Sequence, residues 1–333
     1  HEAVVLALVG QIAHEILLHL GVLGADGAYG HDAAVGLFPI LDQVRRIGVD
    51  GHVRIAVATC RRVVDHDARV HRDGAVFVRG VVGKVGLPIG GQVLKNRRQA
   101  QEIQKIVGHT AAGGMAKQLT EEERKQIETW SVEAVEFGKF SLKLFNDVVL
   151  ANKAYLDLIL SDVYELDTHW IGTVDANNKV NFYSGDHRVV DTKGAEMFRY
   201  KDGEYLQHIE EHVEKYSYLK FPFLKRMGWK GFVAGQDSGL YQATPLSRLN
   251  AADGMATPAA QEAYETFYKT LGGKPVKKLL ATHWARLIEL LYAAERMLEL
   301  SRDPAITGPG FRAVPTAVPE EGVGIVEAPR GIL

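Results

Sequence analysis

From Thr120 to Leu160 the chain runs for about forty residues without a proline. Apolar side chains recur there at a spacing near 3.6, through Ile127, Val132, Val135, Leu142, Leu144, Val149, Tyr155, Leu158 and Leu160. That period belongs to one face of a helix. The run opens on Thr120-Glu121-Glu122-Glu123, a capping box with Thr120 as N-cap and Glu123 three residues on. The three acids also suit the positive end of the helix dipole. The pattern predicts one long helix or two stacked helices, longer than the usual globular helix.

Residues 92–107 carry Val93, Leu94, Ile103, Ile106 and Val107 among charged neighbours, which predicts an amphipathic helix. Gly113-Gly114 is a breaker. Trp170-Ile171-Gly172-Thr173-Val174 and Lys179-Val180-Asn181-Phe182-Tyr183 flank the polar Asp175-Ala176-Asn177-Asn178. This predicts a β-hairpin over 170–183, with Arg188-Val189-Val190 as a possible third strand. Further helices are predicted at 205–213, 258–271 and 279–300, the last with Leu287, Leu290, Leu291, Ala294 and Leu298 on one face. It is expected to pack against 120–160. Residues 303–320 are rich in Pro and Gly and read as loop. The fold class expected is mainly α with a small antiparallel β part.

Composition narrows the function. A net charge of −2 makes no electrostatic case for nucleic acid or an anionic membrane. No apolar run reaches the roughly 18 residues of a membrane span, and no basic region precedes the apolar residues 3–9, so no signal peptide is read. The one cysteine, Cys60, excludes an intrachain disulfide and any multi-thiolate metal site within this chain. Residues 1–83 contain no Lys, Ser, Asn, Met or Trp, and seven of the thirteen histidines lie there. Two readings stand for this anomalous segment, set at 1–80: a frame error in the coding sequence or a divergent N-terminal domain.

Three local motifs invite a chemical reading. His208-Ile209-Glu210-Glu211-His212 matches H-x-x-E-H, which on a helix would put both histidines on one face for zinc with Glu211 as base. The competing reading is a solvated charged helix. The glycines at 24, 27, 30 and 36 make neither a G-x-G-x-x-G fingerprint nor a P-loop. Cys60-Arg61-Arg62 has basic neighbours that favour a thiolate, but where a phosphatase loop needs an arginine six residues on, the chain has His66.

The terminal run Gly322-Val323-Gly324-Ile325-Val326-Glu327-Ala328-Pro329-Arg330-Gly331 resembles the G-V-G-x-x-E-A-P-R-G segment of nickel–iron hydrogenase large subunits. Other segments extend the resemblance over 81–333: Val82-Gly83-Lys84-Val85-Gly86-Leu87 into Gly90-Gly91-Gln92-Val93-Leu94, Ser217-Tyr218-Leu219-Lys220-Phe221-Pro222, Thr244-Pro245-Leu246-Ser247-Arg248-Leu249-Asn250 with Ala252-Asp253-Gly254, and His283-Trp284-Ala285-Arg286-Leu287-Ile288-Glu289-Leu290. The chain is similar to the cytosolic group 3, methyl-viologen-reducing type, which does not use deazaflavin.

That resemblance implies a long-helix bundle and a large, catalytic subunit that splits or forms hydrogen heterolytically at a nickel–iron centre bearing carbonyl and cyanide. The partners it implies are an iron–sulfur small subunit of hydrogenase and an electron-transfer protein linked to heterodisulfide reductase. The location it implies is cytoplasmic. It assigns Arg330 the catalytic place above the metals, since a guanidinium is permanently charged and offers forked donors. Pro329 would fix its approach; Glu327, His283 and Arg286 are supporting or structural positions. Arg286 and Glu289 are spaced to pair on their helix, and His283 is expected in the core. Departures are plain. The two Cys-x-x-Cys pairs that hold nickel in that family are absent, and the Ile-His-Pro expected before Gly113-Gly114 is missing. No metal ligand is assigned, and the chain alone is expected to bind no nickel and be inactive. A nickel-free, hydrogenase-like component of a respiratory complex is the rival reading; an H-x-x-E-H zinc protease is a second.

Overall fold

The computed structural model describes residues 86–108, 110–111, 114–313, 316–317 and 320–328. The anomalous 1–80 segment, Cys60, Pro329 and Arg330 lie outside the described residues. From Arg98 onward the described residues form one compact unit, and residues 86–97 belong to the other.

Helix α1 spans Gly86–Val107. A minimal hairpin follows, β1 (Thr110–Ala111) against β2 (Gly114–Met115). Helix α2, Glu121–Phe145, starts on the capping box: Thr120 Oγ1 accepts from Glu123 N–H at 3.2 Å, and Glu123 Oε2 accepts from Thr120 N–H at 3.0 Å. The proline-free run does not continue as one regular helix. It widens into a π-turn at Asn146–Leu150 and restarts as α3, Lys153–Leu160. The restart has a local cause, because Asn152 Oδ1 accepts from Ala154 N–H at 3.0 Å and so caps a new helix.

The strands are β3 (His169–Val174), β4 (Asp186–Val190), β5 (Glu196–Tyr200), β6 (Ile209–Val213), β7 (Lys220–Leu224) and β8 (Tyr241–Gln242). The four-residue helix α4, Tyr205–His208, leads directly into β6. Helix α5, Pro245–Ala251, begins with Thr244 as N-cap and proline in its first turn, where the missing N–H would have no partner anyway. Helix α6 covers Pro258–Thr270 and α7 covers Thr282–Arg302.

Helix α7 packs along α2. Leu291, Ala294 and Met297 share a core with Ile127, Ala134, Val135, Ile103, Val107 and Leu119. Gly138 lets the two backbones approach, since a Cβ there would stand 3.1 Å from the Cα of Leu291. Glu295 of α7 ties in α6: its carboxylate accepts from Ala259 N–H at 3.0 Å, from Ala260 N–H at 2.9 Å and from the Thr257 hydroxyl at 2.6 Å. Those are orphan donors of a helix N-terminus meeting a negative charge.

The main sheet runs β5-β4-β3-β8, antiparallel except that β8 lies parallel to β3. The hairpin expected over 170–183 is corrected. Residues 179–183 contribute isolated bridges at Val180 alone, to Val174 and to Met255, and the ladder partner of β3 on that side is β4, from Trp170 opposite Val190 to Val174 opposite Asp186. Side chains capture the donors that a second strand would use. Asp175 Oδ1 accepts from Asn177 and Lys179 N–H at 2.8 and 2.9 Å, and Asn181 Oδ1 accepts from Tyr183 N–H at 2.9 Å. Such local bonds compete with a ladder.

A second correction concerns 205–213. Its latter half is strand β6, paired antiparallel with β7 from Ile209 opposite Leu224 to Val213 opposite Lys220. The expected bundle with a small antiparallel part therefore becomes a mixed α/β arrangement: helices on a four-stranded sheet containing a parallel pair, plus two small hairpins. No helix among the described residues is long and apolar enough to cross a membrane.

Helix α5 is buried throughout and lies on β3. The approach rests on Gly172, where a Cβ would meet the Cα of Arg248 at 2.9 Å. Gly172→Ala is expected to overpack this contact and lose about 1–3 kcal/mol of stability, read as a lower urea midpoint. An unchanged midpoint would contradict the packing described.

Candidate functional site

One buried ionic group joins three elements and ends beside the terminal Glu-Ala-Pro-Arg-Gly run. Arg248 sits mid-way along α5 and is 1% exposed; Glu289 on α7 is wholly buried, and Glu327 is 4% exposed. Arg248 grips Glu289 with a fork, Nε to Oε1 at 2.6 Å and Nη2 to Oε2 at 2.9 Å. This is the bidentate geometry a guanidinium supports and an ammonium does not. Nη1 donates to Glu327 Oε2 at 3.0 Å and to the carbonyl of Ala328 at 2.9 Å. The other Glu327 oxygen accepts from Thr173 N–H of β3 at 2.7 Å. The Phe182 ring lies 5.7 Å from the guanidinium carbon, a cation–π distance. Burial pulls the Arg248 pKa down, but the carboxylates of Glu289 and then Glu327 outweigh it and hold the guanidinium charged.

The surroundings fix this group. Ser247 Oγ accepts from Ile171 N–H at 2.9 Å, stitching α5 to β3. Asn250 donates to the carbonyl of Val276 at 2.8 Å, while its own oxygen accepts from Val276 N–H and the Tyr268 hydroxyl at 3.1 and 2.9 Å. Thr173 carries the network on: its hydroxyl is 3.0 Å from His187 Nδ1, and His187 Nε2 is 2.7 Å from Asp202 Oδ1.

The residues singled out in the sequence fare differently. Glu327 is in the network. Arg286 is buried at 9%, and both oxygens of Glu289 accept from Arg248. His283 is exposed in the first turn of α7 rather than in the core. Pro329 and Arg330 lie outside the described residues. The zinc reading of His208, Glu211 and His212 fails on geometry. The segment is a helix end followed by strand, so the histidines do not share a helix face. Glu211 pairs with Lys220 at 2.9 Å, and His212 stacks on Trp229 at 4.3 Å. Among the described residues no group of three His, Cys, Asp or Glu could hold a metal.

Sequence reasoning misses Arg248, Glu289 and Thr173 as members of a site. A signal exists for two of them: Arg248 is the only ionisable residue in Pro245–Ala251, and Glu289 stands between Ile288 and Leu290 on the apolar face of α7. A charge in such a place is almost never fully buried unless paired.

No family model matches the chain. It is similar to a protein of Archaeoglobus profundus named as an iron-sulfur subunit of F420-non-reducing hydrogenase, 47% identical over 261 residues, which are 76% of this chain and 54% of that protein. It is also similar to a subunit of the vhu F420-non-reducing hydrogenase of Methanococcus voltae, 34% identical over 78% of this chain and 61% of that one. A third relative is the beta subunit of the NAD-reducing hydrogenase HoxS of Cupriavidus necator, 36% identical over 60% of this chain and 39% of that one. The crystal structure of an NAD+-reducing NiFe-hydrogenase in the H2-reduced state superposes with a TM-score of 0.66 at 28% identity, covering 78% of this chain and 57% of that one. The chain spans about half the length of the curated relatives it matches.

These relatives are hydrogenase subunits, and so oxidoreductases of multi-subunit enzymes. The finer expectation is corrected. The 47% identical relative is named an iron–sulfur subunit, which overturns the assignment of this chain as the nickel–iron large, catalytic subunit. The nickel–iron centre with carbonyl and cyanide goes with it, and so does the expected pairing with an iron–sulfur small subunit. None of these relatives is named as a respiratory-complex component or a protease. An iron–sulfur cluster does not fit the donors present. Such clusters are held by several cysteine thiolates, and the chain has only Cys60, outside the described residues.

Proposed function

We propose that this chain is a subunit of a hydrogenase assembly, working with other hydrogenase subunits in hydrogen oxidation or formation. The observation that carries the reading is 47% identity over 261 residues to a named hydrogenase subunit. In this reading the described unit is a scaffold. Its buried Arg248–Glu289–Glu327 group anchors the chain at Ala328, two residues before Arg330. Arg330 then supplies a fixed cation to the reacting centre of the assembly, a charge that needs no reorganisation during the reaction. A cytoplasmic location belongs to the same proposal and is tested by cell fractionation.

The test is tagged purification of the chain from cells that make the whole assembly. Other hydrogenase subunits should co-purify, and the preparation should reduce a viologen dye with hydrogen, while the chain purified alone should not. Recovery of the chain without any other hydrogenase component, and without hydrogen-dependent dye reduction, would overturn the reading.

A further inference from the structure

We infer that residues 215–233 form a docking surface for a protein partner that presents acidic side chains around an apolar anchor; the inference deepens the proposed membership of a hydrogenase assembly and rests on it, the partner being another of its subunits. From Lys215 to Val233 the chain carries five cations, six aromatic rings and no acid, within a protein of net charge −2. Lys220 pairs with Glu211 at 2.9 Å. The other four, Lys215, Lys225, Arg226 and Lys230, are exposed and have no carboxylate partner among the described residues. Lys225 and Lys230 donate to the carbonyls of Leu206 and Asp237, at 3.2 and 2.7 Å. The same stretch holds aromatic rings open to water: Tyr218 is 97% exposed, Tyr216 74% and Phe232 56%. Exposed aromatic groups among unmatched cations are the composition of an interface rather than of a solvated face.

The surface is built in advance. Strands β6 and β7 pair from Ile209 opposite Leu224 to Val213 opposite Lys220. The 229–232 segment packs on this hairpin: Trp229 stacks on His212 at 4.3 Å, and Phe232 meets Phe221 edge-on at 4.9 Å. The exposed Phe232 ring is therefore buttressed, and a surface already ordered loses little freedom on binding. The charge pattern selects the class of partner. Glu210, Glu211 and Glu214 lie on or just after β6, the strand paired with β7. A uniform array of phosphates, in nucleic acid or on a bilayer, would meet those acids as well as the lysines. A folded protein face can set Asp and Glu against Lys225, Arg226 and Lys230, avoid the three glutamates, and seat an apolar side chain against Tyr216 and Tyr218.

The test uses cells that make the whole assembly, with the chain tagged. Tyr216→Ser with Tyr218→Ser removes two exposed rings, and Lys225→Glu with Lys230→Glu reverses two cations. These side chains are exposed, so the thermal stability of each double variant should stay near wild type. Each should weaken the affinity for the other hydrogenase subunits about tenfold or more, the loss expected at an interface hot spot. Added salt should loosen the wild-type association and strengthen that of the charge-reversed variant, because it screens attraction in one and repulsion in the other. A photo-crosslinking phenylalanine analogue in place of Tyr218 should join to a peptide of another hydrogenase subunit that contains Asp or Glu. If wild type retains the other subunits and both variants retain them equally well, the docking surface is overturned while membership of the assembly stands. Crosslinks to nucleic acid, to lipid or to a second copy of the chain would overturn the class of partner. A wild-type chain that retains no hydrogenase subunit would overturn the membership itself, and this inference with it.

Discussion

Arg248→Met is expected to lower the unfolding free energy by about 3–5 kcal/mol, the usual result of stranding a buried charge. The reasoning is in the arithmetic of the site. One guanidinium faces two carboxylates, all nearly inaccessible to water. Methionine fills much of the same volume, so a cavity contributes little. What remains is Glu289 without its fork, Glu327 without its cation, and an Ala328 carbonyl without that donor. Urea unfolding followed by the fluorescence of the buried Trp170 and Trp284 reads the loss. Replacing the whole group by apolar residues (Arg248→Met, Glu289→Leu, Glu327→Leu) should recover much of it, since buried ion pairs exchanged entire for well-packed apolar groups are often neutral or better. A loss under about 1 kcal/mol in the single variant would mean that water reaches the group.

What was legible in the sequence was local. The Thr120 capping box, the amphipathic face of α7 and the Pro258 helix start all depend on residues within a turn or two of each other. Their hydrogen bonds and burial follow from that spacing. What was not legible depends on distance along the chain. Arg248 meets Glu289 across 41 residues and Glu327 across 79, and no periodicity encodes such a meeting. The 209–213 segment shows the same limit. Ile-Glu-Glu-His-Val has the charge of a solvated helix, but β7 offers its backbone a full antiparallel ladder and Trp229 offers His212 a stacking face. Tertiary partners then outweigh local propensity. The same holds at 179–183, where Asp175 and Asn181 take the backbone donors of the expected strand.

Arg330→Lys in the full assembly is expected to lose about 10²–10³ in turnover, the range for removing one fixed electrostatic donor, while the subunits stay associated and the metal content and thermal stability stay near wild type. Lysine keeps the charge. It loses the planar fork, shortens the reach and adds rotamers, so it cannot restore a cation whose value lies in its place. The anchor at Glu327 and Ala328 makes this sharper. Those bonds hold Glu327 and Ala328, and the next residue in the sequence is Pro329, whose ring locks one backbone torsion. A mobile segment would let lysine adapt and would give a much smaller loss. Hydrogen-dependent viologen reduction by the purified variant assembly, set beside its metal analysis, is the measurement. Wild-type turnover would remove Arg330 from the chemistry, and loss of the metals would show that it holds the centre rather than acts on it.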